Sequence, residues 1–214
     1  MSKYNRTYHF PFSPGTTDDD KIAKDTSNLL NRPVIMTEKI DGENQALTKP
    51  GVYARSHGDF TRHPWSFKMW ELWQRVGQDL PDDMFIFGEN MYAIHSIEYH
   101  ELKSYFYMFA VRENTRWYSW QEVEETAYLL DIPTVPVLYK GIFKTEQELK
   151  DKVLEFVKQP SRLGSPIMEG VVVRVADTFN DDEFSTSVIK WVRPNHVTTD
   201  QHWTRNWKKA KLNF

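Results

Sequence analysis

Cysteine is absent from the 214-residue sequence. Its absence excludes a disulfide framework, a thiolate nucleophile and a zinc site built on cysteine ligands, and it favours an intracellular compartment. Long apolar runs are also missing: no stretch approaches the roughly 20 residues of a membrane span, and the N-terminus MSKYNRTYHF lacks the apolar centre of a signal peptide. We therefore expect a cytoplasmic protein with no membrane contact.

Excess positive charge and two common site motifs are missing as well. The sequence has 27 Lys and Arg against 30 Asp and Glu, so its net charge of −3 excludes a protein that holds polyanions by bulk charge alone. The 7 histidines show no H-x-x-x-H or H-E-x-x-H spacing, and no GxxxxGK[ST] loop is present. These absences argue against a histidine zinc site and a P-loop.

The composition nevertheless supports a sizeable core, with 40% hydrophobic and 14% aromatic residues. Runs rich in β-branched and aromatic residues predict strands over 33–40, 51–56, 83–89, 104–112, 167–175 and 187–193. Helical periodicity predicts helices over 66–78, 119–130 and 145–157. The last two helices begin with capping boxes, in which Ser119 pairs with Glu122 and Thr145 with Glu148.

Strands and helices are interspersed without regular βαβ alternation, which predicts an α+β fold of mainly antiparallel sheets flanked by helices. We expect one domain over 1–195 and a basic, Trp-rich extension over 196–214. In that extension, Trp203 and Trp207 could pack on the domain as a helical stripe with the lysines outward. Alternatively, the lysines could contact RNA phosphates while an indole stacks on a base.

The segment EKIDGEN (38–44) places Lys39 at a strand end before an Asp-Gly turn. Such a lysine is a nucleophile if nearby cations hold it deprotonated, because like charge disfavours the ammonium. The alternative is an ordinary surface strand that ends in a hairpin turn.

Carboxylates and cations also interrupt apolar strands further along the chain. FGE (87–89) and MEG (168–170) carry Glu89 and Glu169, each beside a glycine. A carboxylate in such a strand is costly unless it is paired or metal-bound, although an edge strand could point it to water. VIKWVR (188–193) carries Lys190 and Arg193, which could neutralise a triphosphate or lie solvated on an edge strand.

The order of six motifs is more specific than any one of them: EKIDGEN, YARSHG, FIFGEN, YFYMFAV, EGVVVR and IKWVR. This ordered set, from Glu38 to Arg193, resembles the covalent nucleotidyltransferase superfamily, and within it the ATP-dependent RNA ligases, especially the phage enzymes that seal duplexes. The resemblance implies an adenylation domain with an ATP pocket between its sheets. It also implies ATP and Mg²⁺ as cofactors, with Mn²⁺ as a substitute, and RNA 5′-phosphate and 3′-hydroxyl ends as substrates.

The resemblance assigns roles to residues around the first motif. Lys39 would become linked to AMP, Asp41 would lie near metal-bound water, and Asn44 matches the asparagine of an EKxxGxN pattern. Glu38 and Ile40, on either side of the lysine, would contact the nucleotide.

The later motifs receive roles in the same way. Arg55 would contact the AMP phosphate or ribose, Glu89 the ribose hydroxyls or hydrated metal, and Glu169 the metal. Phe109 would stack on adenine, with Tyr107 as the rival, since period-2 alternation puts both rings on one face. Lys190 would stabilise the phosphoryl charge, whereas the role of Arg193 stays open because Val192 stands where many RNA ligases have lysine.

Two other functions remain open at this point: a minimal DNA ligase, and a degenerate domain that binds nucleotide or RNA ends without catalysis. Only about 20 residues follow Arg193, too few for the OB-fold domain that follows the last motif in DNA ligases and capping enzymes. We therefore expect no OB-fold domain, and an accessory protein or domain could assist the grip on RNA.

Overall fold

The computed structural model describes residues 3–55, 59–194 and 206–213. Its strands are β1 (Tyr8–His9), β2 (Pro33–Lys39), β3 (Glu43–Thr48), β4 (Gly51–Ala54), β5 (Met84–Asn90), β6 (Ala93–Ile94), β7 (Phe106–Glu113), β8 (Arg116–Trp117), β9 (Val137–Ile142), β10 (Gly170–Val175), β11 (Phe179–Asn180), β12 (Val188–Val192) and β13 (Lys208–Lys209). Its α-helices are α1 (Phe67–Val76), α2 (Trp120–Leu130), α3 (Glu146–Phe156) and α4 (Phe184–Ser187). Short 3₁₀ helices cover Ser27–Leu29, Pro64–Ser66, Gly77–Asp79 and Asp181–Glu183.

Two sheets dominate the described residues. The first sheet has the strand order β1-β12-β10-β2-β9, and the second has the order β11-β8-β7-β5-β3-β4. Neighbouring strands are antiparallel in both sheets, except that β1 runs parallel to β12. This arrangement confirms the predicted α+β fold with mainly antiparallel sheets.

Each sheet is covered on one face by helices. In the first sheet, alternate β10 residues such as Val171 and Val173 join a buried cluster with Val153 of α3. In the second sheet, Ile86 lies in a cluster that also includes Met69 of α1 and residues of α2. Because side chains alternate across a strand, the opposite faces of the two sheets are left to form the walls of a cavity.

All six predicted strands appear, within a few residues of their expected bounds, but the longer strands β3 and β9 and the five two-residue strands were not predicted. The β3 sequence ENQALT begins with three polar residues, the first two of which belong to the EKIDGEN motif, so it shows no apolar alternation. The β9 sequence VLYKGI contains lysine and glycine and lies at the edge of its sheet. β3 and β9 therefore form because they pair with neighbouring strands, and their own sequence patterns do not predict them. The three predicted helices correspond to α1, α2 and α3.

The two predicted capping boxes have different outcomes. At α2 the box is complete: the Ser119 hydroxyl accepts from the Glu122 amide, and the Glu122 carboxylate accepts from the Ser119 amide. At α3 the Thr145 hydroxyl accepts from the Glu148 amide, but the Glu148 carboxylate takes the amide of Lys144 instead. The prediction of the second capping box was therefore wrong for one of its two hydrogen bonds, the one from the Thr145 amide to the Glu148 carboxylate.

No helix among the described residues is both long and apolar enough to cross a membrane.

The complete box at α2 gives a stability prediction. Ser119→Ala removes the side-chain acceptor for the Glu122 amide, so we expect the free energy of unfolding to fall by about 1 kcal/mol. Urea denaturation followed by circular dichroism measures this change. Gln121→Ala is the matched control, because that exposed side chain only donates to Glu125 on the same helix. Equal effects of the two substitutions would contradict a special role for the box.

Candidate active site

A cavity of about 700 Å³ lies between the facing sides of the two sheets. Cavities of this size accommodate a nucleotide-sized ligand. Many residues of the predicted site line it, contributed by β2, β3, β5, β7, β12 and adjoining loops: Glu38, Lys39, Ile40, Asn44, Arg55, Glu89, Phe109 and Lys190. Residues predicted from widely separated motifs thus meet in one place.

Lys39 and Glu169 form an ion pair at one wall of this cavity. The Lys39 Nζ donates to Glu169 Oε2 at 2.7 Å, and the Glu169 side chain is 6% exposed. Lys39 ends β2, where it pairs with Gly170, the first residue of β10. A Cβ at Gly170 would lie 2.0 Å from the carbonyl oxygen of Trp191, so glycine allows the strands to approach and brings Glu169 beside Lys39.

Glu89 approaches the same lysine from the second sheet. It pairs directly with Asn44 across β5 and β3, so the two side chains lie on one face and both line the cavity. Its Oε1 accepts from the Gly42 amide at 3.2 Å, and a Cβ at Gly42 would lie 2.9 Å from the Glu89 Cγ. The glycine of the EKIDGEN turn therefore makes room for this carboxylate.

The surroundings of Lys39 set its protonation state. Burial alone would lower the pKa of Lys39, but the carboxylates of Glu169, Glu89 and Asp41 outweigh it and raise that pKa above its ordinary value. Burial in turn raises the pKa of Glu89 to about 8 and that of Glu169 to about 7, against the opposing charge of Lys39. The expectation that nearby cations hold Lys39 deprotonated is therefore wrong in this structure, because the three carboxylates outweigh them.

Asp41 has a different environment from the one predicted. Its Oδ2 accepts from the amides of Ser96 and Ile97, at 2.7 and 2.9 Å, and its own amide donates to the Tyr99 hydroxyl. These bonds anchor the turn that follows Lys39 to the 96–99 segment. Within residues 3–55, 59–194 and 206–213, no group of three or more histidine or acidic side chains is placed to hold a metal ion. The predicted set of Asp41, Glu89 and Glu169 as joint metal residues is therefore not assembled in this structure.

Glu89 and Glu169 still suit a hard divalent cation. Both are buried oxygen donors, and the cation that now neutralises them is the ammonium of Lys39. Mg²⁺ commonly takes one or two carboxylates and completes its shell with water and substrate phosphates. The donor set therefore fits such an ion without Asp41.

Phe109, and not Tyr107, lines the cavity. Phe87 pairs with Ala110 and Gly88 with Met108, which leaves Phe109 as the extra residue of a β-bulge in β7. The bulge breaks the period-2 alternation that made the two rings equivalent in the sequence. The Tyr107 side chain is buried in the core, where its hydroxyl accepts from the Lys103 amide.

Two of the predicted cations, Lys190 and Arg55, line the cavity. Burial lowers the pKa of Lys190 to about 8, and the charge of Lys39 adds to this effect. Arg55 follows β4, and its amide donates to the Asn44 carbonyl. Arg193 is not among the cavity residues, and in the described part of the chain its shielded Nε and Nη2 atoms have no hydrogen-bond partner. Lys190 is therefore the cation that the last motif supplies.

The two residues that flank Lys39 differ in character. Glu38 is 1% exposed, and its carboxylate accepts from the Ser161 hydroxyl and from the Arg162 amide. Burial raises the pKa of this carboxyl. Ile40 is buried and contributes an apolar surface to the cavity.

Sequence reasoning missed two groups of residues that line the cavity. Residues 4–20 supply Tyr4, Arg6, Thr7, Asp19 and Asp20, and the second group is Trp117, Arg174 and Phe184. The Tyr4 ring makes edge contacts with Phe87, Phe109, Trp117 and Phe184 at centroid distances of 5.1–5.5 Å. The only sequence signal here was the acidic run of 18–20, since a two-residue parallel strand leaves no readable periodicity.

The C-terminal extension is partly outside the described residues, which include neither Trp203 nor Arg205. In its described part, Trp207 packs against Trp65 and Tyr92, with ring centroids 6.1 and 5.8 Å apart. The next two residues, Lys208 and Lys209, form β13 against β6 and are exposed. Trp207 thus packs on the domain with the next two lysines outward, but the helix expected there is wrong over 206–213, where the short strand β13 forms instead.

Three comparisons with known proteins bear on this site. The family model described as RNA ligase matches residues 32–192. A search of curated protein sequences gives no significant match.

Solved structures share the fold at low sequence identity. A Naegleria gruberi RNA ligase mutant in its apo form has a TM-score of 0.61 at 16% identity, covering 92% of this chain and 57% of that one. Another mutant of that ligase, with ATP and Mn, has a TM-score of 0.57 at 17% identity, covering 90% and 61%. An archaeal ATP-dependent RNA ligase has a TM-score of 0.56 at 15% identity, covering 89% and 48%.

The chain thus spans about half to three fifths of the length of these solved proteins. The family match covers about three quarters of the chain and includes Lys39, Glu89, Phe109, Glu169 and Lys190. The chain belongs to the RNA ligase family.

Proposed function

We propose that this protein is an ATP-dependent RNA ligase that joins 5′-phosphate and 3′-hydroxyl RNA ends through lysyl-AMP and RNA-adenylate intermediates. The observation that carries the proposal is the amine of Lys39, held at the wall of a nucleotide-sized cavity between two buried carboxylates. A domain that only binds nucleotide needs no such amine.

The cavity offers a surface for each part of ATP. The Phe109 ring provides an aromatic face for the base. Asn44 and Glu89, side by side on neighbouring strands, offer polar groups to the ribose. Lys190 and Arg55 supply positive charge for the phosphates.

The proposed metal cofactor is Mg²⁺ or Mn²⁺, held by Glu89 and Glu169. A relative of known structure carries ATP and Mn, which supports this pairing of cofactors. A divalent cation would supply positive charge beside the phosphates and draw both carboxylates away from the Lys39 ammonium. Any ligand that does so lowers the pKa of Lys39, because those carboxylates are what raise it.

The first step forms the lysyl-AMP. Lys39 must first lose the proton that it shares with Glu169 Oε2. Its Nζ then bonds to the α-phosphorus, while the bond from that phosphorus to the bridging oxygen breaks and its electron pair leaves with pyrophosphate. The ammonium of Lys190 stabilises the charge that develops on the phosphoryl oxygens.

Two further transfers complete the reaction. The 5′-phosphate of an RNA end attacks the AMP phosphorus, and the bond between that phosphorus and Lys39 Nζ breaks. AMP is then joined to the RNA end through a 5′–5′ pyrophosphate. A 3′-hydroxyl then attacks the RNA phosphorus, and AMP leaves as the proton of the hydroxyl is lost. Arg55 and the exposed lysines of β13 provide positive charge for the RNA phosphates.

Covalent labelling tests the role of Lys39. Incubation with α-labelled ATP and Mg²⁺, followed by denaturation, should leave label on the wild-type chain and none on Lys39→Ala or Lys39→Arg. The arginine variant keeps a positive charge beside Glu169, so its loss of label reports the missing nucleophile rather than an unpaired buried carboxylate.

Lys49→Ala is the control for this experiment, because Lys49 forms a surface ion pair with Asp82. It should retain label at the wild-type level. An unlabelled wild-type chain, or a Lys39→Ala chain labelled as strongly as wild type, would falsify the assignment.

A matched pair of substitutions tests base stacking. Phe109→Leu and Tyr107→Leu each remove one aromatic ring. Since stacking of a base on an aromatic ring contributes about 1–3 kcal/mol, we expect Phe109→Leu to raise the ATP concentration for half-maximal labelling by roughly 5- to 150-fold. Tyr107→Leu should lower the melting temperature but leave that concentration within about threefold of wild type, and the reverse pattern would favour the rival ring.

A ligation panel tests the RNA substrate. Strands with 5′-phosphate and 3′-hydroxyl ends are presented as single strands, as nicks in duplex RNA and as RNA–DNA hybrids, alongside an all-DNA nick. We expect sealed product with RNA ends, measured by gel electrophoresis. Sealing of the DNA nick alone would favour the minimal DNA ligase, and labelled protein that seals no strand would favour an end-binding domain.

A further inference from the structure

Residues 4–20 precede the region that matches the RNA ligase family, yet they form one wall of the cavity. β1 lies parallel to β12, with His9 directly opposite Lys190. The amide of Phe10 donates to the Lys190 carbonyl at 2.8 Å. The backbone that carries Lys190 is therefore paired directly with this N-terminal segment.

The segment turns back so that Asp20 lies beside the same lysine. The His9 amide donates to the Lys21 carbonyl at 2.7 Å, and the Ala23 amide donates to the His9 carbonyl at 2.8 Å. These two bonds hold residues 21–23 along β1 on the side away from β12. Asp20 enters the cavity wall from this turn, although it is separated from Lys190 by most of the chain.

Both oxygens of the Asp20 carboxylate have partners. Oδ2 accepts from the Thr17 amide and from the Thr17 hydroxyl, each at 3.0 Å. Oδ1 lies 3.2 Å from His9 Nε2 and 3.7 Å from Lys190 Nζ. The His9 ring is 1% exposed, and its Nδ1 lies 3.0 Å from the Ser13 hydroxyl. Two contacts from Thr17 and one from His9 thus hold the carboxylate in place, and its Oδ1 also faces the Lys190 ammonium.

We propose that Asp20 is a positioning residue, whose carboxylate holds the Lys190 ammonium toward the phosphate end of the cavity and away from Glu169. The inference rests on the proposed function, because it concerns how Lys190 meets the triphosphate. It adds a residue from outside the family match to the machinery for lysyl-AMP formation.

The charges around Lys190 explain why it needs its own carboxylate. Lys39 and Arg55 are close enough to disfavour its charged form, while Glu169 attracts it. Without Asp20, Glu169 would be left as the carboxylate that favours the charged form of Lys190, and Lys190 would compete with Lys39 for it. A flexible lysine side chain also loses conformational freedom when it is held in one geometry, and a fixed partner removes that cost before ATP binds.

A double-mutant cycle tests the proposal through the rate of label transfer from α-labelled ATP to the protein. Asp20→Asn removes the charge while keeping the shape of the side chain. We expect it to slow labelling at saturating ATP by about tenfold, with the ATP concentration for half-maximal rate within about threefold of wild type. In a Lys190→Ala background, Asp20→Asn should slow labelling by less than about twofold, because a residue that acts through Lys190 has nothing left to orient.

Two more variants complete the design. Asp18→Asn is the matched control from the same acidic run; Asp18 is exposed, and the variant should label at the wild-type rate. Asp20→Glu keeps the charge. In the chain that retains Lys190, it should label faster than Asp20→Asn, whereas in the Lys190→Ala background the two Asp20 variants should label at the same rate. It also serves if thermal unfolding shows that Asp20→Asn does not fold.

The outcomes separate this inference from the proposed function. A wild-type chain that takes up no label contradicts both. A wild-type chain that labels, with an Asp20→Asn variant that is equally fast, overturns only the role of Asp20. The same conclusion follows if Asp20→Asn slows wild type and Lys190→Ala by the same factor, since the two residues then act independently.

Discussion

The ion pair between Lys39 and Glu169 constrains the rest of the site. It joins residues that are 130 positions apart in the sequence, and it brings the end of β2 to the start of β10. A buried carboxylate without a partner would be strongly unfavourable, so the register of these two strands and the charge of the lysine depend on each other. Gly170 is part of the same constraint, because a larger residue would push β12 away.

The cavity keeps its charges in balance by giving each lysine a carboxylate. Glu169 pairs with Lys39, and Asp20 faces Lys190. In the proposed reaction, ATP and metal would replace these internal partners with phosphate and metal charge, which would link the reactivity of Lys39 to occupancy of the site. The net charge of −3 is thus compatible with the proposed function, since several of the acidic side chains lie in the cavity and not on the outer surface.

The motifs and their order predicted much of the candidate site, because each motif ends or begins a strand and the strands converge on one cavity. The alternation argument failed where a β-bulge inserts Phe109, a feature that depends on the pairing of β5 with β7. The argument for a neutral Lys39 failed because it counted nearby cations and not the carboxylates of Asp41, Glu89 and Glu169, which the same motifs supply. Asp41 was placed near metal-bound water; the bonds from its Oδ2 to two backbone amides, which anchor the turn, were not predicted.

The sequence by itself determined the α+β class, the three main helices, the strands of the apolar runs and the residues that line the pocket from the motifs. These features are local, since periodicity, capping residues and turn glycines act over a few positions. Only the tertiary structure decided which ring faces the cavity, that carboxylates surround Lys39, and that residues 4–20 line the cavity beside Lys190. Those outcomes depend on distances between segments that are far apart in the chain, and no short-range pattern encodes such distances.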